Sequence, residues 1–171
     1  MITLEPVSKN QPTMAERMLL ELGEGETGFS GTSFGEGKRT LNQFLVQTMD
    51  QHEGIGIPEG WVPQTTFWIL YDNNAAGLLR LRHDLTASTR ISGGHIGYYV
   101  SPRFRKRGIA TKALSLSLPH AISLGLEEVM LTTSPHNVGS NKVIQDNGGR
   151  LRSQAIHPET EELVNQYWIV L

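Results

Sequence analysis

A cluster of basic side chains stands directly before a glycine in the second half of the chain. Residues 103–107 contain three arginines and one lysine, and Gly108 follows them. If a helix begins at Gly108, its first N–H groups and the positive end of its dipole form a site for an anion. Glycine also lets phosphate oxygens approach the backbone closely, because it has no β-carbon. We therefore predict a diphosphate site formed by Arg105, Lys106, Arg107, Gly108, Ile109, Ala110 and Thr111.

The spacing Arg-x-x-Gly-x-Ala is not specific by itself, since a basic turn that caps a helix has the same pattern. Its surroundings favour the diphosphate. A segment with the character of a strand ends at Val100, Pro102 begins a turn, and an amphipathic pattern follows from Gly108 to Leu124. A strand, a turn and a helix N-terminus in that order suit a phosphate-binding loop.

Composition excludes several kinds of site. The chain has 171 residues and no cysteine, which rules out disulfides, thiolate nucleophiles and cysteine-ligated metals. Its six histidines show no metal-binding spacing, so we expect no metal. A net charge of −2 argues against a nucleic-acid partner, which requires a basic surface. We see no signal peptide and no apolar run of about 20 residues, and we expect a cytoplasmic protein with no membrane partner.

The elements that position these residues follow from hydrophobic periodicity and turn residues. The pattern predicts one domain over residues 1–171, with a mixed α/β sheet of about six or seven strands and helices on both faces. Residues 23–37 form a glycine-rich, acidic loop. The predicted strands are 2–7, 65–71, 76–83, 93–100, 128–133, 150–157 and 163–170, and the predicted helices are 12–22, 38–53, 108–124 and 138–147.

Two stretches of the chain resemble a known family. The segment from Val100 through the basic loop resembles motif A of the GNAT superfamily of N-acetyltransferases, whose cofactor loop follows a strand ending in Val-x-Pro. Residues 131–149 resemble the next strand and helix of that family. The segments 66–68, 81–85, 93–98 and 167–169 are similar to a subgroup of predicted bacterial acetyltransferases.

The resemblance implies a bent sheet that splays open between the strand ending at Val100 and the strand ending near Ser134. Acetyl-CoA would enter this opening as co-substrate. Its pyrophosphate would lie on the basic loop, and its pantetheine arm would pair with the backbone of the preceding strand. The implied cofactor contacts outside the loop are Tyr98, Tyr99, Val100, Asn137 and Asn141.

The resemblance also implies the reaction, which is direct transfer of an acetyl group to a primary amine in a ternary complex. The acceptor is a small molecule or a peptide N-terminus, and the sequence does not identify it. The acidic residues Glu21, Glu24, Glu26 and Glu36 would suit a cationic acceptor. A non-catalytic module that binds acyl-CoA is the alternative. The closing strands could pair across a homodimer.

The chain departs from the family in its acid–base residues. Ile144 stands where many members have a tyrosine seven residues after the asparagine, and residues 93–100 contain no carboxylate. The remaining candidates are His95 as base, His83 as a second base, and Tyr98 as acid. Each of the three also has a structural interpretation, as a hydrogen-bonded or packed side chain of a sheet. Arg82 either orients an acidic acceptor or pairs with Asp84.

Overall fold

A computed structural model describes residues 1–35 and 37–171 of the chain. The helices and strands follow one another in the predicted order, and the mixed α/β prediction is confirmed. The sequence missed only the two short strands inside the glycine-rich loop. The elements are β1 Ile2–Pro6, α1 Ala15–Leu22, β2 Gly25–Glu26, β3 Phe29–Ser30, α2 Leu41–His52, β4 Gln64–Tyr71, β5 Asn74–Arg82, β6 Ile96–Val100, a 3₁₀ turn Pro102–Phe104, α3 Ile109–Ser123, β7 Glu128–Thr133, α4 Val138–Asp146, β8 Arg150–Ile156 and β9 Leu163–Val170.

The strands form two main sheets. A four-stranded antiparallel sheet has the order β1-β4-β5-β6, and a three-stranded antiparallel sheet has the order β7-β9-β8. Strands β2 and β3 make a separate two-stranded ribbon. Neighbouring strands β6 and β7 belong to different sheets, which confirms the predicted splay between them. We call this opening, between residues 96–100 and 130–134, the β6–β7 cleft.

Side-chain alternation gives the four-stranded sheet two apolar faces. One face packs on α3 and includes Phe67, Leu79 and Leu81. The other face packs on α1 and α2 and includes Trp68 and Leu78. Successive residues of a strand point to opposite faces, so a continuous apolar run buries both. We refer to these as the α3 face and the α1–α2 face.

The start of α2 is set by local hydrogen bonds. The hydroxyl of Thr40 accepts from the N–H of Gln43 at 3.2 Å, and the side chain of Gln43 accepts from the N–H of Thr40 at 2.8 Å. This reciprocal capping box begins the helix at Leu41, three residues later than the periodicity predicts.

Within the described part of the chain, no helix is both long and apolar enough to cross a membrane.

One residue joins the two main sheets at the closed end of the β6–β7 cleft. The N–H of His95 donates to the carbonyl of Met130 at 2.7 Å, and the N–H of Met130 donates to His95 Nδ1 at 2.9 Å. Gly94 permits this approach, since a β-carbon there would lie 2.3 Å from the Met130 carbonyl oxygen. Gly93 and Gly94 both have positive φ, so β6 begins at Ile96 and not at residue 93 as predicted.

The imidazole of His95 is 4% exposed, and burial lowers its pKa below the ordinary value. It is therefore neutral at pH 7, with the proton on Nε2, because Nδ1 accepts from a backbone N–H. Its ring packs edge-on against Trp168. These contacts favour the structural interpretation of His95 that the sequence left open.

We expect His95→Ala to lower the free energy of unfolding by about 1–3 kcal/mol, because the buried N–H of Met130 loses its acceptor. Since the folded-state pKa is lowered, this stabilisation is present above the ordinary histidine pKa of about 6.5 and is lost as the pH falls through the lowered value. Urea denaturation at pH 5 and pH 7 measures both effects. His136→Ala, at an exposed site, is the control. An unchanged unfolding free energy at pH 7 in His95→Ala would contradict this role.

Candidate functional site

Strand β6 presents one hydrogen-bonding edge to β5 and the other to the β6–β7 cleft. The N–H of Arg82 donates to the carbonyl of His95, and the N–H of Ser101 donates to the carbonyl of Ala76. In an antiparallel pair the bonded positions alternate, so residues 97 and 99 also bond to β5. The N–H groups of Tyr98 and Val100 therefore point into the cleft.

Tyr99, a predicted cofactor contact, lies differently from its two neighbours. Its backbone pairs with Leu78 of β5. Its side chain lies on the α1–α2 face, where the ring stacks on Phe29 with centroids 6.1 Å apart. Neither its backbone nor its ring faces the cleft.

The loop after β6 has the backbone of an anion-binding nest. Lys106 and Gly108 both have positive φ, 61° and 71°, while Arg107 between them does not. Such alternation of left- and right-handed residues turns successive N–H groups towards one concave side. Gly108 also precedes α3, and no side chain caps the helix there. The local sequence therefore produces the helix start that the basic loop predicts.

A continuous run of N–H groups in this loop has no acceptor. The first backbone hydrogen bond of α3 runs from Lys112 to the carbonyl of Gly108 at 3.0 Å. Within the described residues, the N–H groups of residues 106–111 find no protein acceptor. Helix N-termini leave such donors unpaired, and an anion satisfies them.

The arginines of the loop are engaged by the protein itself. Arg105 pairs with Glu26 and donates from Nε to the carbonyl of Val100 at 2.8 Å. Arg103 pairs with Glu21. Arg107 lies over the aromatic rings of Tyr71 and Phe104, at 5.6 and 5.9 Å from their centroids. Lys106 makes no such contact with the described residues, and its charge remains available to a ligand.

Glu21 fixes the start of this loop. Its carboxylate accepts from the buried hydroxyl of Ser101 and from Arg103. Burial acts to raise the pKa of Glu21, but the hydrogen bonds from Ser101 and Arg103 outweigh it and leave that pKa below its ordinary value. Glu21 and Glu26, which the sequence offered to a cationic acceptor, are thus used to hold the loop; Glu36 lies outside the described residues.

Asn137 caps the helix on the other side of the cleft. Its Oδ1 accepts from the N–H of Ser140 at 3.1 Å, and α4 follows directly. Its Nδ2 has no acceptor among the described residues. Asn137 therefore retains a free donor, and its contact with the cofactor stays a prediction.

The side chain of Asn141, a predicted cofactor contact, forms its hydrogen bonds with protein groups. Its Nδ2 donates to the carbonyls of Ser134 and Asn137, at 2.9 and 2.7 Å. Its Oδ1 accepts from Asn165 at 3.0 Å and from the hydroxyl of Tyr167 at 2.6 Å. The side chain thus holds the turn between β7 and α4.

Tyr98 spans the cleft. Its hydroxyl hydrogen bonds to Ser140 Oγ of α4 at 2.8 Å. Burial raises the pKa of Tyr98 to about 12, so it keeps its proton at neutral pH. Ile144, at the position of the family's tyrosine, is 1% exposed in the core. Tyr98 therefore presents a hydroxyl to α4 from the opposite side of the cleft.

His83 belongs to a polar group that the sequence did not predict. Its Nε2 and the Nδ1 of His52 each lie 2.8 Å from the hydroxyl of Thr65. The two rings pack edge to face, with centroids 5.3 Å apart. Burial, together with the charge of His52, lowers the pKa of His83. Helical and strand periodicity places these residues on their elements but gives no signal that they meet.

The choice left open for Arg82 is settled against Asp84. The carboxylate of Asp84 accepts from the N–H of Leu85 at 2.7 Å. Arg82 donates instead to the carbonyl of Gly94 at 3.0 Å.

No group of three or more histidine, aspartate or glutamate side chains in residues 1–35 and 37–171 is placed to hold a metal ion.

Known proteins share both the sequence pattern and the fold. The model of the Acetyltransferase (GNAT) family matches residues 39–148, more than half of the chain. No curated protein matches the chain in sequence.

Solved structures similar to this chain include two ribosomal-protein acetyltransferases and RimJ. RimL, a ribosomal L7/L12 alpha-N-protein acetyltransferase in complex with coenzyme A, is 16% identical with a TM-score of 0.72, over 99% of this chain and 94% of that one. Mycobacterium smegmatis RimJ in complex with CoA-disulfide is 19% identical with a TM-score of 0.73, over 99% and 81%. The ribosomal-protein-S5-alanine acetyltransferase of Vibrio fischeri is 16% identical with a TM-score of 0.72, over 99% and 92%.

At these identities the likeness to solved structures establishes the fold, and the family model establishes the membership. The range that the family model matches includes β6, the basic loop and α3, which border the β6–β7 cleft. The chain belongs to the GNAT family of acetyltransferases.

Proposed function

We propose that this acetyltransferase moves the acetyl group of acetyl-CoA to a primary amine, by direct attack within a ternary complex. The observation that carries the proposal is the run of unpaired N–H groups at residues 106–111, beside the β6–β7 cleft. A pyrophosphate supplies the acceptors that these donors lack. Two of the similar solved structures contain coenzyme A or its disulfide, which agrees with this ligand.

The residues that border the cleft fit the other parts of acyl-CoA. Lys106 offers a charge to the phosphates, and the backbone edge of Tyr98 and Val100 offers hydrogen bonds to an amide-containing arm such as pantetheine. Asn137 offers its Nδ2 to the same arm. We assign Arg105 and Asn141 to holding the site, because their polar groups already bond to the protein. We assign Tyr99 to the same role, because its backbone pairs with β5 and its ring stacks on Phe29.

The bond changes require three groups. The ammonium group loses one proton to become a neutral amine, which attacks the thioester carbonyl. The C–N bond forms, the nitrogen loses its second proton, and the C–S bond breaks to release a thiolate. One of the two N–H groups, of Tyr98 or of Val100, can donate to the carbonyl oxygen as negative charge develops, while the other bonds to the arm. Tyr98 can donate a hydrogen bond to the sulfur if its hydroxyl accepts from Ser140 Oγ, since either oxygen of that pair can be the donor. It need not transfer its proton, because a thiol has a pKa of about 8.5, well below that of this tyrosine.

We assign the base to His83 and not to His95. In His95, Nδ1 accepts from the Met130 N–H and Nε2 carries the proton, so neither nitrogen is free to accept one. In His83, Nδ1 has no partner among the described residues, and the lowered pKa keeps the ring neutral at pH 7. His83 can therefore accept a proton directly or through water.

Gly108→Asp tests the cofactor site. A carboxylate beside the unpaired N–H groups repels the pyrophosphate, so we expect the affinity for coenzyme A to fall at least about tenfold, which is about 1.4 kcal/mol. Isothermal titration calorimetry measures it. Gly125→Asp is the matched control, because Gly125 lies at the other end of α3, also has positive φ, and likewise has open space where a β-carbon would lie. Equal affinities in the two variants would contradict the site.

The pH dependence of turnover tests the base. A base with a lowered pKa is active when neutral, so kcat/KM should fall as the pH drops through a value below about 6.5. Thiol release from acetyl-CoA with a panel of amines measures this profile. His83→Ala should remove this acidic limb and slow turnover by about 10²–10⁴-fold. His136→Ala is the control. A limb that persists in His83→Ala and disappears in His95→Ala would assign the base to His95 instead.

A further inference from the structure

Three polar side chains from separate parts of the chain meet one strand away from the closed end of the β6–β7 cleft. His52 is the last residue of α2, Thr65 belongs to β4, and His83 follows β5. His52 Nδ1 and His83 Nε2 each lie 2.8 Å from Thr65 Oγ1. The N–H of Arg82, beside His83, donates to the carbonyl of His95, and this fixes the position of the group relative to the cleft. We call the three residues the His52–Thr65–His83 chain.

The chain leads from the protein surface to a half-buried ring. The side chain of His52 is 48% exposed, whereas Thr65 is buried and His83 is half-buried. The N–H of His83 donates to the carbonyl of Pro63 at 2.9 Å, so its backbone is held against the start of β4. The buried hydroxyl of Thr65 is thus the link between the two rings.

That hydroxyl can serve the two rings in only two ways. A threonine hydroxyl has one proton and two acceptor lone pairs, and its only partners among the described residues are the two imidazoles. If both rings donated to Thr65, its buried proton would have no acceptor, which is costly. Thr65 therefore donates to one ring and accepts an N–H from the other.

The two arrangements place the proton of His83 on opposite nitrogens. If Thr65 donates to His52, His83 carries its proton on Nε2 and leaves Nδ1 unprotonated. If Thr65 donates to His83, the proton of His83 lies on Nδ1, and Nε2 already accepts from Thr65. Only the first arrangement leaves His83 a nitrogen that can take a proton from another molecule.

Glu53 favours the first arrangement. Its Oε1 lies 3.8 Å from His52 Nε2, and both side chains are exposed. A nearby carboxylate and the surrounding water both favour an N–H at His52 Nε2, which leaves His52 Nδ1 as an acceptor. Thr65 then donates to His52 and accepts from Nε2 of His83.

The titratable groups that face His83 are His52 from α2 and Glu53, which follows that helix. Burial and the charge of His52 lower the pKa of His83, and Glu53 acts in the opposite direction. The ring is therefore neutral above about pH 6.5. A neutral imidazole has one donor and one acceptor nitrogen, so its tautomer decides whether His83 can act as a base.

We propose that His52 and Thr65 are positioning residues for His83, because together they hold its proton on Nε2 and leave Nδ1 free to accept one from the amine. This inference rests on the proposed function, which assigns the base to His83. In the proton step an N–H bond of the ammonium group breaks and an Nδ1–H bond forms. The imidazolium keeps its Nε2–H bond to Thr65 until the proton on Nδ1 passes to water.

The variant His52→Phe tests the chain, because it keeps a ring at this exposed position and removes both nitrogens. The remaining acceptor for the hydroxyl proton of Thr65 is then His83 Nε2, so the proton of His83 should move to Nδ1. Long-range ¹H–¹⁵N NMR spectra at about pH 8 identify the tautomer. We expect the Nε2–H form in the wild type and the Nδ1–H form in His52→Phe. His136→Phe, at another exposed histidine, should keep the wild-type form. The same tautomer in the wild type and in His52→Phe would overturn the inference.

A second substitution shows whether Thr65 transmits the effect. Adding Thr65→Val to His52→Phe removes the hydroxyl that donates to His83, so the Nε2–H form should return. Thr65→Ser alone keeps a hydroxyl and should keep the wild-type tautomer. A double variant that stays wholly in the Nδ1–H form would contradict the role of Thr65.

Turnover separates this inference from the proposed function. We expect His52→Phe to lower kcat/KM by at least about tenfold, towards the loss expected for His83→Ala. Its affinity for coenzyme A should stay within about twofold of the wild-type value. Adding Thr65→Val should recover part of the lost turnover. A shifted tautomer with unchanged turnover would overturn the assignment of His83 as base and still support the coupling of the two rings. The tautomer can also be measured if no amine in the panel releases thiol, an outcome that would overturn only the proposed activity.

Discussion

The site depends on the way in which two neighbouring strands are joined at one end only. His95 links β6 to Met130 of β7 through its N–H and its Nδ1, and Gly94 gives the backbone the room to approach. Beyond this point, the N–H groups of β6 that do not bond to β5 face β7, which accepts no hydrogen bond from them among the described residues. The cleft exists because those groups remain unpaired, and a ligand with matching acceptors can satisfy them. We propose that His95, which closes the cleft, is not the base, because Nδ1 accepts from Met130 and Nε2 carries the proton.

The charges around the cleft divide into those that hold the loop and those that remain for ligands. Arg103 and Arg105 are neutralised by Glu21 and Glu26, and this ties the loop to α1 and to the β2–β3 ribbon. What remains for an anionic cofactor is mainly backbone N–H, with Lys106 beside it. On the other face of the sheet, Arg80 and Arg82 bond to neutral oxygens and form no ion pair with a carboxylate among the described residues. The protein thus presents positive charge to both faces of β6.

Much of the fold and the position of the cofactor loop could be predicted from the sequence. Periodicity and turn residues locate most helices and strands to within a few residues, and Gly108 lies at the start of its helix as predicted. Roles that depend on long-range partners were not predictable. Arg105 meets Glu26 and Tyr98 meets Ser140 across the fold, and the pairing of His52 with Thr65 joins separate elements. Spacing shows which face a side chain occupies, but it does not show what lies opposite.

We propose that the unpaired N–H groups beside the cleft bind the pyrophosphate of acyl-CoA. Backbone amide shifts, followed by NMR during a titration with coenzyme A, test it at the atoms concerned. We predict that the largest changes fall on residues 106–111 and on Tyr98 and Val100, with little change at Arg150 and the rest of β8. Small shifts at residues 106–111, with the largest changes elsewhere in the chain, would contradict it.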